Sequence, residues 1–205
     1  LYEELGTRTC MKYLEALNFK GLDKKDYKYN TTCLGGFTNG TTVVEMAAGY
    51  ATIANDGEYR TPDCIIKITD AKGNDIVPED TSTKSVYSSS ASRMMTSVLQ
   101  SCVTEYEGTA HVCQLDVDMP AACKTGTTNN YVDGWLCGYT PYYTTAVWVG
   151  MDVYKSVDNL KGNTYPASIW TNYMNKIHQG LPRKEFESYL GDTESTTEAT
   201  KESTE

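Results

Sequence analysis

The segment "PAACKTGTTNNYVDGWLCGYTPYYTTAVWVG", residues 120–150, constrains the fold more than any other part of the chain. It holds a run of small residues and threonines at 120–128, then two aromatic-rich runs at 133–140 and 143–151, each of strand length. Only short turns separate them. A consecutive antiparallel meander is the simplest arrangement of three such strands. Segments of helical periodicity precede and follow the meander. The expected architecture is therefore α+β, an antiparallel sheet flanked by helices.

The flanking elements are read from periodicity and punctuation. In "YEELGTRTCMKYLEALN", residues 2–18, the positions Leu5, Thr9, Tyr13, Leu14 and Leu17 form one stripe, with Gly6 weakening the first turn. Gly35, Gly36 and Gly40 mark a tight loop. Thr42 followed by Glu45 matches a capping box, and Val43, Ala47, Tyr50, Ala51 and Ala54 recur at helical spacing until Asn55-Asp56-Gly57 stops the helix. A hairpin is expected around Lys72-Gly73-Asn74. Serines 88–92 open a helix facing inward through Met95, Val98, Leu99, Cys102 and Val103. "EYEGTAHVCQLDVD" reads as a loop followed by a strand. Residues 165–179 form a last helix, with Pro166 in its first turn and Ile169, Tyr173 and Ile177 inward. The chain opens on Leu1 within a helical pattern, so it is expected to be the C-terminal portion of something longer.

Composition narrows the function classes. The net charge of -9 is uneven, since residues 192–205 carry five acids and one base. Residues 183–205 are read as an acidic, Ser/Thr-rich disordered tail that cannot build a core, leaving residues 1–182 as the folded part. No Lys/Arg cluster exists, which argues against nucleic acid or an anionic membrane as partner. No apolar run reaches the length of a membrane span. The seven cysteines lack a C-x-x-C pair, and His111 and His178 lie far apart, so no metal site is expected. Most of the cysteines sit among apolar residues and read as small buried hydrophobes, with a Cys102–Cys113 disulfide left open.

The chemistry lies in Lys124-Thr125-Gly126-Thr127-Thr128. On a strand, Thr125 and Thr127 share a face, so both hydroxyls can donate to one carboxylate. Gly126 between them removes a side chain and admits another backbone. A free strand edge would pair with an extended peptide, and one edge N–H could stabilise an acyl oxyanion. Lys124 supplies fixed positive charge. The set suits a peptide that ends in a carboxylate.

The stretch "CKTGTTNNYVDGWLCGYTPYYTTAVWVG" resembles the third active-site box and following strands of penicillin-binding protein transpeptidase domains, which share the serine β-lactamase fold. "LGGFTNGTTVVEMAAGYATIANDGEYRTP", "EGTAHV" and "YPASIWTNYM" resemble, in order, that family's Gly-rich turn with its helix, its Gly-Thr segment and its closing helix. The likeness spans about residues 1–178 and is closest to the bifunctional, class A type. It implies the C-terminal part of the β-lactamase/transpeptidase-like fold and a serine-type D-Ala-D-Ala transpeptidase in the full-length protein. It further implies that Lys124 belongs to the charge and proton network, that Thr125, Gly126, Thr127 and Thr128 bind substrate, and that the Thr127 N–H forms half of an oxyanion hole. No cofactor is implied. The implied partners are peptidoglycan stem peptides, the lipid-linked precursor and β-lactam antibiotics. The implied place is the extracytoplasmic face of a bacterial membrane, held there by an upstream anchor.

Two departures stand out. The family's Ser-x-x-Lys and Ser-x-Asn motifs are absent from these 205 residues, so the chain alone is expected to be inactive. Cys123 also stands where the family usually has a small residue such as glycine. Two other readings stay open: a non-catalytic binding or scaffold domain of the same fold, and a β-lactamase or β-lactam sensor. Trp135, Trp148 and Trp170 read as packed aromatics, and His111 as a solvated loop residue.

Overall fold

The computed structural model describes residues 2–77 and 80–189. The helices are α1 (Tyr2–Leu5), α2 (Thr7–Ala16), α3 (Val43–Ala54), α4 (Ser89–Thr104) and α5 (Tyr165–Ile177). Four strands of two or three residues form two small ladders: β1 (Glu58–Tyr59) with β4 (Lys84–Ser85), and β2 (Ile68–Thr69) with β3 (Asp75–Val77). The meander forms as expected, with β5 (Ala122–Thr127), β6 (Gly134–Tyr139) and β7 (Thr144–Val149) antiparallel in that order. Its register runs from Ala122 opposite Tyr139 to Thr127 opposite Gly134, and from Gly134 opposite Val149 to Tyr139 opposite Thr144.

Period-two alternation sorts the sheet's side chains onto two faces. Ala122 and Tyr139 lie on one face, where Leu99 of α4 and Tyr50 and Ile53 of α3 pack against them. Cys123 and Leu136 lie on the other, against Ala167, Trp170 and Met174 of α5 and against Val103, Ala110 and Cys113. Trp170 is fully buried, and its Nε1 donates to the Thr145 carbonyl at 3.1 Å. The sheet is thus sandwiched between helices where the start of β5 pairs with the end of β6.

Local signals behave as their chemistry requires. Thr42 caps α3 through its side chain while Glu45 returns a bond to the Thr42 N–H, completing the capping box. The Glu45 carboxylate also accepts from the Lys20 N–H at 2.6 Å, so the cap ties the segment after α2 to α3. Gly73 turns the β2–β3 hairpin at a φ of 86°. Gly6, at a φ of 78°, divides the expected first helix into α1 and α2.

The inward faces differ in part from those expected. Leu99 and Val103 are buried as expected, but several other buried positions on α3 and α4 are small or polar residues that hydropathy overlooks. On α4 the buried set is Ser92, Thr96, Leu99 and Val103, whereas Met95 and Val98 are exposed. Thr96 is satisfied twice, by the Ser92 carbonyl at 2.9 Å and by the Tyr139 hydroxyl at 2.8 Å. On α3, Ala48, Gly49 and Thr52 are buried, and Val43 and Ala54 are exposed. On α2 the buried residue is Met11, with Leu17 just beyond the helix, while Leu5, Thr9 and Tyr13 are exposed. On α5, Pro166, Ala167, Trp170 and Met174 face the sheet, Ile177 packs at the margin, and Ile169 and Tyr173 point outward. The strand expected after the Gly-Thr segment does not form; a short 3-10 turn, His111–Cys113, leads into an irregular stretch.

Packing continues beyond residue 182, into the stretch expected to be a solvated tail. Phe186 meets the Tyr139 ring edge-on at 5.6 Å, and Arg183 pairs with Asp118 and Glu185. The remainder of that tail, residues 190–205, lies outside the described residues.

Asp56, after α3, takes a two-pronged ion pair from Arg93 of α4, at 2.9 Å from Nε and 2.6 Å from the terminal nitrogen. Those hydrogen bonds hold the Asp56 carboxyl below its usual range. A depressed folded-state pKa stabilises above the unfolded value and is lost as pH falls through the folded one. Asp56→Asn is therefore expected to lower stability at neutral pH, with the gap to the parent chain closing below about pH 4 in urea titrations. Trp170→Ala is expected to cost about 3–5 kcal/mol in the same assay, through the cavity it leaves.

Candidate functional site

The candidate site is the outer margin of β5. The strand begins buried at Ala122 and Cys123 and ends with Lys124 and Thr127 exposed and Thr125 and Gly126 half-buried. It is an edge strand, since β6 is its single strand partner among the described residues. Thr125 stands opposite Leu136 and Thr127 opposite Gly134, so both threonines project from the same face.

Backbone polarity follows from the turn at the strand's end. The Thr128 N–H donates to the Asp133 carbonyl at 3.0 Å, so Thr128 points its amide toward β6. In an antiparallel ladder, successive residues turn their N–H and C=O to opposite sides. The Thr127 and Thr125 amides and carbonyls therefore face the free edge. Lys124 reaches over that edge, and its Nζ donates to the Thr125 carbonyl at 2.9 Å.

Two remote segments meet these threonines. The Thr109 hydroxyl lies 2.8 Å from the Thr125 hydroxyl, which brings the Gly-Thr segment against the Lys-Thr-Gly strand. The Gly162 N–H donates to the Thr127 hydroxyl at 3.0 Å. A Cβ on Gly162 would come within 2.7 and 2.8 Å of the Gly126 carbonyl oxygen and nitrogen, so only glycine lets this loop lie on the strand backbone. The close approach expected at Gly126 thus exists, but the missing side chain that permits it is that of Gly162. A Cβ on Gly126 would itself press on the Trp135 Cβ at 3.2 Å.

Thr128 differs from its neighbours. Its hydroxyl accepts the Asp133 N–H at 2.8 Å and lies 3.2 Å from the Asp133 carboxylate, so it closes the β5–β6 turn instead of facing the edge. Asp133 also accepts the Trp148 Nε1–H at 3.0 Å. Asn130 and Tyr131 both have positive φ, 62° and 56°, a strained pair that this network holds. Trp135 and Trp148 are half-buried side by side at 6.4 Å. His111 is exposed and bonds to the Tyr106 carbonyl at 3.0 Å. Sequence reasoning missed the contacts of Thr109 and Gly162; the Gly-Thr pair was the one signal that could have pointed to the first.

The thiols lie beneath the site. Cys113, Cys123 and Cys137 are buried and free, and Cys102 bonds weakly to the Val98 carbonyl in place of the disulfide left open by the sequence. Burial, together with the facing Cys113 thiol, pushes the Cys123 thiol well up, and burial pushes Cys137 up to about 12. No group of three or more His, Cys, Asp or Glu among the described residues could hold a metal.

The family model of the penicillin-binding protein transpeptidase domain matches residues 2–193. Penicillin-binding protein 4 of Bacillus subtilis is 33% identical over 170 residues, covering 83% of this chain and 27% of that protein. Penicillin-binding protein 1A of Clostridium botulinum is 31% identical over 188 residues, covering 91% of this chain and 22% of its own length. The chain thus spans about a quarter of these curated relatives. Among solved structures, the penicillin-binding protein PonA1 from Mycobacterium tuberculosis shares the fold, with a TM-score of 0.71 at 24% identity over 85% of this chain and 50% of that one. The same protein in complex with penicillin V gives 0.70 at 23% identity, over the same shares of the two chains.

The cysteine environment is open to a direct check. Iodoacetamide on the native protein at pH 8 is expected to alkylate the exposed Cys33 and Cys64 and to spare Cys123 and Cys137, read by peptide mass spectrometry.

Proposed function

We propose that this chain, which belongs to the penicillin-binding protein transpeptidase domain family, supplies the carboxylate-gripping wall of a serine DD-transpeptidase that crosslinks peptidoglycan. One observation carries the reading. Two hydroxyls project together from an accessible edge strand whose Thr127 amide points to the free side. An extended peptide can lie along that edge with its terminal carboxylate at Thr125 and Thr127.

In this reading the Thr125 and Thr127 hydroxyls donate to the carboxylate of a terminal D-alanine. Lys124 adds positive charge and takes part in proton movement. The Thr127 N–H stabilises the oxyanion that forms when a serine oxygen attacks the penultimate D-alanine carbonyl. The C–N bond then breaks, the terminal D-alanine leaves as an amine with the serine's proton, and an acyl ester remains. An amine from a neighbouring stem displaces the serine and forms the crosslink. A β-lactam presents a similar carboxylate and carbonyl, so it takes the same place and stays on the serine.

The serine and its lysine partner are assigned to a part of the full-length protein outside residues 1–205, because no Ser-x-x-Lys or Ser-x-Asn occurs here. The folded part, which includes Arg183 and Phe186 packed beyond residue 182, is then the C-terminal portion of the transpeptidase domain. Thr128 and Asp133 support the strand end and do not touch substrate. The substrate places the reaction on the extracytoplasmic side of a bacterial membrane, with attachment elsewhere in the full-length protein. No helix among the described residues is long and apolar enough to cross a membrane.

The isolated 205-residue chain is expected to take up no fluorescent penicillin covalently, whereas the full-length protein is labelled. In the full-length protein, Thr125→Val is expected to slow acylation about 10- to 100-fold, the loss of one hydrogen bond to a charged group. Labelling of the isolated chain, or an unchanged acylation rate in Thr125→Val, would contradict the assignment. Release of the bound drug as fast as it is taken up would point instead to a β-lactamase.

A further inference from the structure

A threonine hydroxyl has one hydrogen, and this fixes more than its position. A carboxylate only accepts. For Thr125 to hold one, it must give its hydrogen to the ligand, and its oxygen is then free only to accept. Among the described residues, the one other polar group at hydrogen-bond distance from that oxygen is the Thr109 hydroxyl, 2.8 Å away. With ligand bound, the bond between the two hydroxyls can persist in a single direction, from Thr109 to Thr125. The second threonine is set in the same sense by backbone. The Gly162 N–H can only donate, so the Thr127 oxygen accepts it at 3.0 Å and the Thr127 hydrogen points elsewhere.

We propose that Thr109 is a positioning residue that donates its hydroxyl hydrogen to Thr125 and so commits Thr125 to donate to the substrate carboxylate. This rests on the carboxylate-gripping role given above to Thr125. Donation into the Thr125 oxygen also polarises its O–H, since hydrogen bonds in a chain strengthen one another.

The Thr109 backbone is built for a fixed task, although its side chain is exposed. The Ala110 N–H donates to the Cys102 carbonyl at 2.9 Å, and Ala110 is fully buried. The Gly108 N–H donates to the Glu105 carbonyl at 2.8 Å. A Cβ on Gly108 would collide with the Cys102 carbonyl, so glycine alone lets the loop sit against the end of α4. The Ala110 carbonyl in turn accepts the Cys113 N–H at 2.9 Å. The loop is pinned on both sides of Thr109 to elements that hold no substrate, and one side chain crosses to β5.

The test uses the full-length protein and two probes, a penicillin and the methyl ester of the same penicillin, which lacks the anionic acceptor. Thr109→Val is expected to slow acylation by the penicillin about 3- to 10-fold, as befits one neutral hydrogen bond acting through a neighbour. It is expected to leave acylation by the ester within twofold. Thr109→Ser is expected to restore the parent rate. In the Thr109→Val/Thr125→Val double variant, the rate is expected to equal that of Thr125→Val alone, because the first group acts only through the second. Equal slowing on acid and ester would make Thr109 merely structural and overturn the proposal, as would independent, additive effects of the two substitutions. A Thr125→Val variant with the parent rate would refute the Thr125 assignment itself, a result distinguishable from a failure at Thr109. Should Thr109→Val not fold, the comparison of acid and ester in Thr109→Ala, with Thr109→Ser as rescue, decides the matter.

Discussion

The backbone ladder between β5 and β6 decides what the rest of this chain can offer. Because Thr128 turns its amide to Asp133, the alternation along β5 leaves the Thr125 and Thr127 amides without a strand partner among the described residues, facing the edge. A register slip of one residue would send both hydroxyls to the opposite face and turn the outward amides inward. The Asp133 carboxylate, shared between the Thr128 hydroxyl and the Trp148 indole, closes the base of the turn through Asn130 and Tyr131 that joins β5 to β6. An edge strand is a liability unless something covers or uses it. Here the exposed stretch is short, ends in polar residues and carries the overhanging Lys124 chain.

Beneath the strand, packing supports precision. Cys123 and Leu136 fit against Trp170 and Met174, and a Cβ on Gly138 would meet the Cys123 sulfur at 2.5 Å and the Trp170 ring at 3.1 Å. Cys123 is therefore accommodated by a glycine on the neighbouring strand. It is a packed thiol whose ionisation burial opposes.

Much of the architecture was legible because its signals are local. The Thr42–Glu45 capping box, the Gly73 hairpin, the three strands and the alternation that pairs Thr125 with Thr127 all depend on residues within a few positions of one another. What escaped has long-range causes. The faces of α3 and α4 were misjudged in part because Thr52 and Thr96 satisfy their hydroxyls within the helix and can be buried, so hydropathy underrates them. Phe186 finds Tyr139 across 47 residues, which no composition of the surrounding polar stretch announces. The contacts from Thr109 and Gly162 span 16 and 35 residues, and neither residue type signals its partner. Thr128 looked equivalent to Thr127 in sequence; one further step along the strand put it in the turn.

The central claim, that the β5 margin grips a carboxylate through two hydroxyls, is most directly tested by a crystal structure of the full-length protein acylated with a penicillin. Both Thr125 Oγ1 and Thr127 Oγ1 are expected within about 3.2 Å of the drug's carboxylate oxygens. An acyl-enzyme whose carboxylate points away from β5, with both hydroxyls left to solvent, would contradict it.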